Sequence, residues 1–291
     1  MQDLPQLIAI VGATAVGKTR LALELAAELD AEIVSADSRQ IYRGMNIGTA
    51  KPTANEQAAV PHHLIDIVDP GETFSLARFQ DLATTAVDDI LARGRQPLLV
   101  GGTGQYLAAI LEGWQIPRVA PQPELRAALE QEAALHGSAA LHRRLAGIDP
   151  AAAAAIAPEN VRRIIRALEV FEVSGQPISA QQGRRPPPYH IKTRWLIRER
   201  SELYARIDQR VDAMMAAGLI AEVAGLIEQG YTWELPAMSS LGYIQFRPYL
   251  AGEADLADCV QQLKYDTHAF ARRQESWFRR LPGLQHYPMA D

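Results

Sequence analysis

Residues 7–19 read LIAIVGATAVGKT, a run of β-formers that ends in a glycine-framed turn and passes directly into the helical pattern TRLALELAAEL. The turn matches G-x-x-x-x-G-K-[ST], and its position between a strand and a helix is the context in which such a loop wraps phosphate. Backbone N–H groups of Gly12, Ala13, Thr14, Ala15, Val16, Gly17, Lys18 and Thr19 lie in or beside the positive end of the helix and attract phosphate oxygens. Lys18 adds a charge, and the Thr19 hydroxyl suits Mg²⁺. The match does not say whose phosphate is held.

Two further runs, EIVSAD (32–37) and PLLVGG (97–102), are built like the first and also end in Asp or Gly. Helical patterns fill the intervals, so the alternation predicts βα units and an α/β fold with a P-loop, NTPase-like parallel sheet buried on both faces. Ligands of such sheets bind beyond the carboxyl ends of the strands, where Gly12, Asp37 and Gly101 fall. A P-loop kinase usually ends a second apolar strand in Asp to hold Mg²⁺. LLVGGTG ends in glycines instead, which leaves Asp37 as the carboxylate at a strand end. Ser38, Arg39, Gln40, Tyr42 and Arg43 follow it, more polar side chains than a strand exit requires. On the residues alone Asp37 fits a metal, a partner charge or a substrate proton.

After Gly113 the texture becomes rich in Ala, Leu and Arg. Three or four helices are predicted there, with breaks at Gly137, at 147–150 and at Pro158. QQGRRPPPYHIK reads as an exit linker, because three successive prolines cannot continue a helix. A strand at 193–198 and amphipathic helices near 201–216, 219–229 and 256–278 complete the pattern. The expected organisation is a core of 1–113 and 189–291 with a helical insertion at 114–188.

The net charge of −5 conceals a basic stretch, since residues 160–210 hold 11 Lys/Arg against 5 Asp/Glu. Within it Arg162 and Arg166 are spaced i, i+4 with Arg163 alongside, which makes either a solvated helix face or a polyanion-binding one. The single cysteine, Cys259, excludes an internal disulfide and a cysteine zinc site, and suits a reducing compartment. No run reaches the roughly 18 apolar residues of a membrane span. The first residues form a strand where a signal peptide would sit, so a cytoplasmic protein without a membrane partner is expected. His62 and His63 lack a third spaced ligand and read as hydrogen-bonding structural residues.

GATAVGKT, DSRQIYRGMNIGTAKP (37–52), HHLID (62–66), PGETFSLARF (70–79), VGGTGQY (100–106), RRIIRALEV (162–170), SSLGYIQF (239–246) and RRQESWFR (272–279) together resemble the tRNA dimethylallyltransferases. The blocks run in the family's order over nearly the whole chain, in the bacterial form without a zinc-finger extension. The resemblance implies a P-loop core with a helical insertion. It also implies transfer of a dimethylallyl group from dimethylallyl diphosphate to the exocyclic N6 amine of the adenosine just 3′ of a tRNA anticodon. The P-loop then holds a diphosphate that leaves.

Under that resemblance Asp37 is the base that orients the amine and takes its proton. Lys18, Thr19, the 12–19 backbone and an arginine of LYARIDQR, Arg206 in preference to Arg210, stabilise the leaving diphosphate. Thr103 contacts the target nucleotide and the diphosphate, and one Mg²⁺ on Thr19 screens the charge. Contact with the tRNA anticodon stem-loop is implied for Asp37, Ser38, Arg39, Gln40 and Thr103. The insertion contributes Arg162, Arg163, Ile164, Ile165 and Arg166. Segment 239–246 with Arg272, Arg273 and Gln274 adds polar contacts, and the chain is expected to act as a monomer.

Tyr42 and Phe74 either line the prenyl channel or pack the core. The chain departs from the family's pattern at Ala13 (usually Pro), Gln105 (commonly apolar) and Ile244 (often basic or polar). Two rival readings are a prenyltransferase acting on free adenine nucleotides, for which the basic insertion is superfluous, and a P-loop kinase, which would consume ATP.

Overall fold

The computed structural model describes residues 4–281 and 283–289. The chain forms two units, one of Met1–Glu112 with Pro187–Asp291 and one of Gly113–Pro186. The first begins β1 (Gln6–Gly12), α1 (Lys18–Leu29), β2 (Ala31–Ala36), α2 (Ala54–Ala59), β3 (His62–His63), α3 (Leu76–Ala92), β4 (Gln96–Gly101) and α4 (Gly104–Leu111). The second contains β5 (Trp114–Gln115), α5 (Pro123–His136), α6 (Ser138–Ile148), α7 (Pro150–Ala155), α8 (Val161–Ser174), α9 (Ile178–Gln181) and β6 (Gly183–Arg184). The first resumes with β7 (His190–Ile197), α10 (Arg200–Ala216), α11 (Leu219–Glu228), a 3₁₀ turn, α12 (Arg247–Leu250), α13 (Leu256–Phe278) and β8 (Leu284–Pro288).

Six parallel strands form one sheet in the order β3-β2-β4-β1-β7-β8. β1 and β2 are buried along almost their whole length, which is why their sequences are continuous apolar runs rather than alternating ones. Register pairs Val11 with Gly101 and Ala36 with Gly101, so three adjacent strands end level with one another. The segments that follow them, at Gly12, Asp37 and Gly102, therefore leave the sheet side by side.

Leu21, Ala22, Leu25 and Ala26 of α1 make one helical stripe that packs on Ile8, Ile10, Ile33 and Leu98. A second cluster joins Ile41, Tyr42 and Met45 to Val211, Val223, Tyr243, Phe246 and Cys259. Each large aliphatic side chain buried this way contributes about 1.5–3 kcal/mol. Tyr42 is thereby a core aromatic, and Phe74 packs at the edge of its cluster with Arg78 over its ring.

The insertion has its own core, including Leu129, Leu141, Leu145, Ile164, Ile165, Leu168 and Ile178. It holds five helices; the short α9 is the one the sequence pattern does not announce. The Asp149 carboxylate accepts from Ala152 N–H (2.9 Å) at the start of α7 and from Ser179 N–H (2.9 Å), tying α9 back onto the bundle.

The expectation that Ile164 and Ile165 touch RNA is corrected, because they are 0% and 4% exposed. A helical period of 3.6 turns 162–163 outward and 164–165 inward. Arg166 lies between the two faces, with its guanidinium on Glu169 (2.6 Å) and on the carbonyls of Pro117 and Val119. Glu169 is fully buried and also receives Arg126 (2.7 Å). Arg166 is thus an internal ion-pair partner.

A similar device sits at the amino end of β2. Glu32 is 1% exposed, and its carboxylate takes Arg93, Arg95 (2.8 Å) and His63 (2.6 Å). His62 Nδ1 meets the Val60 carbonyl, so both histidines are structural. The Arg93 hydrogen bond foremost, against the opposing effect of burial, pulls the Glu32 carboxyl from 4.5 down to about 2. A carboxyl whose pKa falls on folding stabilises the fold above its unfolded pKa. That contribution is lost as pH drops from about 4.5 towards 2. Glu32→Gln should flatten this acid limb and lower stability at neutral pH by about 2 kcal/mol, after allowing for the exposed arginines. Urea unfolding at neutral and acid pH measures both effects; an unchanged acid limb would show that Glu32 does not govern it.

Candidate active site

The loop after β1 turns into α1 through Gly17, whose φ of 112° is open to glycine and strained for other residues. Ala15 also lies in the left-handed region, at φ 62°. The loop's carbonyls are held by cations. Lys18 Nζ donates to Gly12 (2.9 Å) and Ala13 (2.8 Å), Arg206 Nε to Ala15 (3.1 Å) and Arg198 Nε to Val16 (3.1 Å). The Arg198 side chain is fully buried and ion-paired with Glu202. With these carbonyls engaged, the first-turn amides of α1, which have no acceptor inside the helix, remain as donors to an anion.

Burial under the loop, with Arg210 adding to it and Asp37 opposing, pushes the Lys18 amine from 10.5 down to about 8. The Arg210 guanidinium is pulled down by burial and by Arg206. It forms no hydrogen bond or ion pair among the described residues. Lys18, Arg206 and Arg210 thus gather at one glycine-framed loop, where Lys18 and Arg210 have no ion-pair partner among the described residues, a geometry that suits a polyphosphate.

The Thr19 hydroxyl has no protein partner among the described residues, and no group of three or more His, Cys, Asp or Glu is poised to hold a metal there. This donor set fits a Mg²⁺ held by one hydroxyl and by phosphate oxygens, as is usual for that ion, rather than by a carboxylate cage.

Asp37 follows β2. Its Oδ1 accepts from the N–H of Arg39 (2.9 Å) and of Gln40 (3.4 Å), an Asx turn that fixes the carboxylate plane. Oδ2 has no protein partner among the described residues. Ser38 N–H donates to Thr103 Oγ (2.9 Å), and the Thr103 hydroxyl donates to Ser38 Oγ (3.3 Å). The third strand end therefore clamps the second.

Several expected contacts prove to be internal. The Gln40 amide donates to the carbonyls of Thr49 (3.3 Å) and Ala50 (3.2 Å) and accepts from Ser35 (3.3 Å), so it orders the segment instead of facing a base. Arg39 reaches the Pro236 carbonyl (2.6 Å). Gln245 bonds Gly242 and Asp266, and Gln274 is buried with its amide spent on backbone. The glycines of VGGTG serve packing within the chain. A Cβ at Gly101 would strike the Ala36 carbonyl, and one at Gly104 would strike the Trp277 ring. Gln105 points outward, so its departure from the family's pattern disturbs no packing.

The roles of three residues escape a reading of the sequence, Gln274 being expected there only as a polar contact to RNA. Arg198 and Gln274 lie far along the chain from the loop they hold. Glu222 gathers the N–H groups of Asn46 (2.9 Å), Ile47 (2.8 Å) and Gly48 (3.1 Å) and the Tyr243 hydroxyl (2.6 Å). In LIAEVAGLIE it looks like an ordinary surface charge on a helix. The available signal is an acidic residue set between apolar neighbours within the helix.

Residues 40–281 match the family model described as IPP transferase, and residues 5–66 the one described as isopentenyl transferase. A tRNA dimethylallyltransferase of Chloroflexus aggregans is 69% identical over 280 residues, covering 96% of this chain and 95% of that protein. The chain belongs to the tRNA dimethylallyltransferase family. Its fold is similar to that of the full-length tRNA isopentenylpyrophosphate transferase of Bacillus halodurans, at 43% identity and TM-score 0.72, over 98% of this chain and 91% of that one. It is also similar to a solved eukaryotic dimethylallyltransferase acting on tRNA, at 28% identity and TM-score 0.84, over 99% of this chain and 74% of that one.

Because Lys18 is half neutral near pH 8 and a bound anion favours its charged form, inorganic diphosphate should bind with proton uptake near that pH and weaken above it. Titration calorimetry in two buffers of different ionisation heat reads the uptake. Lys18→Met should abolish it, and uptake that persists in the variant would assign the proton elsewhere.

Proposed function

We propose that the chain transfers a dimethylallyl group from dimethylallyl diphosphate to the N6 amine of the adenosine 3′-adjacent to the anticodon in tRNA, giving N6-dimethylallyladenosine and diphosphate. It does so as a cytoplasmic monomer, and among the described residues no helix is long and apolar enough to cross a membrane. The observation that carries this reading is the placement, at the ends of the two strands that flank β4, of a phosphate loop lined by Lys18 and Arg210 and of a carboxylate with one oxygen unengaged among the described residues.

The adenine amine is a weak nucleophile because its lone pair is delocalised into the ring. As the N6–carbon bond forms and the carbon–oxygen bond to the diphosphate breaks, positive charge gathers on N6. Asp37, held by its Asx turn, accepts the proton through Oδ2. Negative charge gathers at the same time on the leaving diphosphate, where the first-turn amides of α1 and Lys18 oppose it. Arg210, with no hydrogen-bond or ion-pair partner among the described residues, grips the diphosphate directly, while Arg206 holds the loop through Ala15 and adds charge behind it. This reverses the preference between the two arginines that the sequence suggested. Mg²⁺ on Thr19, when bound, supplies further charge to the leaving oxygens.

Ser38 and Thr103 fix the entrance that the flipped nucleotide enters. Unstacking that base costs a few kcal/mol, which contacts to the rest of the anticodon loop have to offset. On the insertion those contacts come from Arg162 and Arg163, which are exposed, while Arg166 pairs with Glu169 on its own helix and ties α8 to the 117–119 segment.

Incubation with labelled dimethylallyl diphosphate and either tRNA or AMP tests the reading. Label is expected in tRNA, and Asp37→Ala should lower kcat by roughly 10²–10⁴-fold. Label in AMP and none in tRNA would replace this function with nucleotide prenylation. Joint replacement of Arg162 and Arg163 by Ala should raise the KM for tRNA about tenfold and flatten its salt dependence, with the KM for dimethylallyl diphosphate unchanged. A rise in the latter KM alone would remove RNA contact from the insertion.

A further inference from the structure

We propose that Gln274 is a positioning residue that sets the phosphate loop and the base-bearing turn at a fixed separation. The proposal rests on the prenyl-transfer reading above. Gln274 lies on α13 at 7% exposure, with Ala271 and Phe278 buried one turn to either side of it. Its Oε1 accepts from Thr14 N–H (2.9 Å), inside the loop, and its Nε2 donates to the Gly102 carbonyl (2.9 Å), beyond β4.

From Gly102 the connection continues through its neighbour. Thr103 N–H donates to the Ala36 carbonyl (3.2 Å), and Thr103 Oγ accepts from Ser38 N–H (2.9 Å), on both sides of Asp37. One amide side chain therefore joins the group that holds the leaving diphosphate to the group that holds the proton acceptor. The reacting carbon has to lie between them, and a displacement of about 1 Å at such a site can cost on the order of 100-fold in rate.

Only an amide of this length serves the position. A primary amide offers an acceptor and a donor on adjacent atoms, whereas an ionised carboxylate accepts only and a thioether does neither usefully. The residue at 102 is a glycine for the same reason, since a Cβ there would collide with the Gln274 amide nitrogen. Ala13 adds to the requirement. Its φ is not locked by a ring as a proline's would be, so the Thr14 bond to Gln274 supplies order that the backbone lacks at that point.

The test compares wild type with Gln274→Met and Gln274→Glu in four measurements: melting temperature, calorimetric affinity for inorganic diphosphate, equilibrium affinity for tRNA, and kcat with KM for dimethylallyl diphosphate. Both variants should lose ~10- to 100-fold in kcat. Their diphosphate Kd should rise roughly fivefold, the worth of one net hydrogen bond, with tRNA affinity unchanged. A folded Gln274→Met enzyme with kcat and diphosphate Kd within about twofold of wild type overturns the proposal. So does a variant that loses tRNA affinity alone, which would make Gln274 an RNA contact.

Should these variants fail to fold, the contact can be approached from its other side. Gly102 has no positive φ, so Gly102→Ala is allowed by the backbone and presses only on the Gln274 amide. It should lower kcat in the wild-type background and cost little more in a Gln274→Ala background. Additive losses would mean that the two positions do not act through each other. Wild-type protein that neither binds diphosphate nor prenylates tRNA overturns the functional reading beneath the proposal, and the proposal with it.

Discussion

The phosphate loop keeps its shape because cations hold its carbonyl oxygens. Lys18, Arg198 and Arg206 between them engage Gly12, Ala13, Ala15 and Val16. This stabilises a backbone that includes a non-glycine residue at positive φ, a conformation that costs of order 1–2 kcal/mol when isolated. It also leaves the helix-end amides as the loop's unused donors. The rest of the core is arranged around this: β7 delivers Arg198, α10 delivers Arg206 and Arg210, and α13 delivers Gln274.

Three of the arginine clusters among the described residues differ in charge balance, and the difference separates structure from function. Arg93 and Arg95 meet the buried Glu32, and Arg126 and Arg166 meet the buried Glu169. In both cases the anion is already supplied by the protein, and removing the arginines would leave a buried carboxylate uncompensated. Around the phosphate loop Arg210 has no such partner among the described residues, and burial, with like charges adding to it, depresses both it and Lys18. A protein keeps unbalanced desolvated cations where a ligand brings the missing charge. The same criterion divides the RRIIR block: Arg162 and Arg163 face outward, while Arg166 is spent on Glu169.

Much of the core was legible because its signals are local. Strands buried on both faces have to be continuous apolar runs, and a phosphate loop needs glycine where φ is positive, so β1, β2, β4 and the loop could be read directly. The helices after residue 200 followed from their apolar period. The short helix α9 was not legible, since four residues carry too little periodicity, and it is held by Asp149 from thirty positions earlier.

Roles within the site were less legible than its location. The sequence established that the chain presents a phosphate loop, a carboxylate at the end of a second strand and a family-specific order of blocks, because each depends on residues close together along the chain. The tertiary structure decided which cation is unpaired and which glutamine faces inward. Arg206 and Arg210 are equivalent as letters, four apart on one helix, but only their packing gives the first a carbonyl and leaves the second without a partner among the described residues. Gln40 and Gln274 looked like readers of RNA until their acceptors proved to be backbone atoms. Desolvation and hydrogen-bond satisfaction depend on which atoms meet in space, and here the decisive meetings, such as Thr14 with Gln274, join residues 260 positions apart.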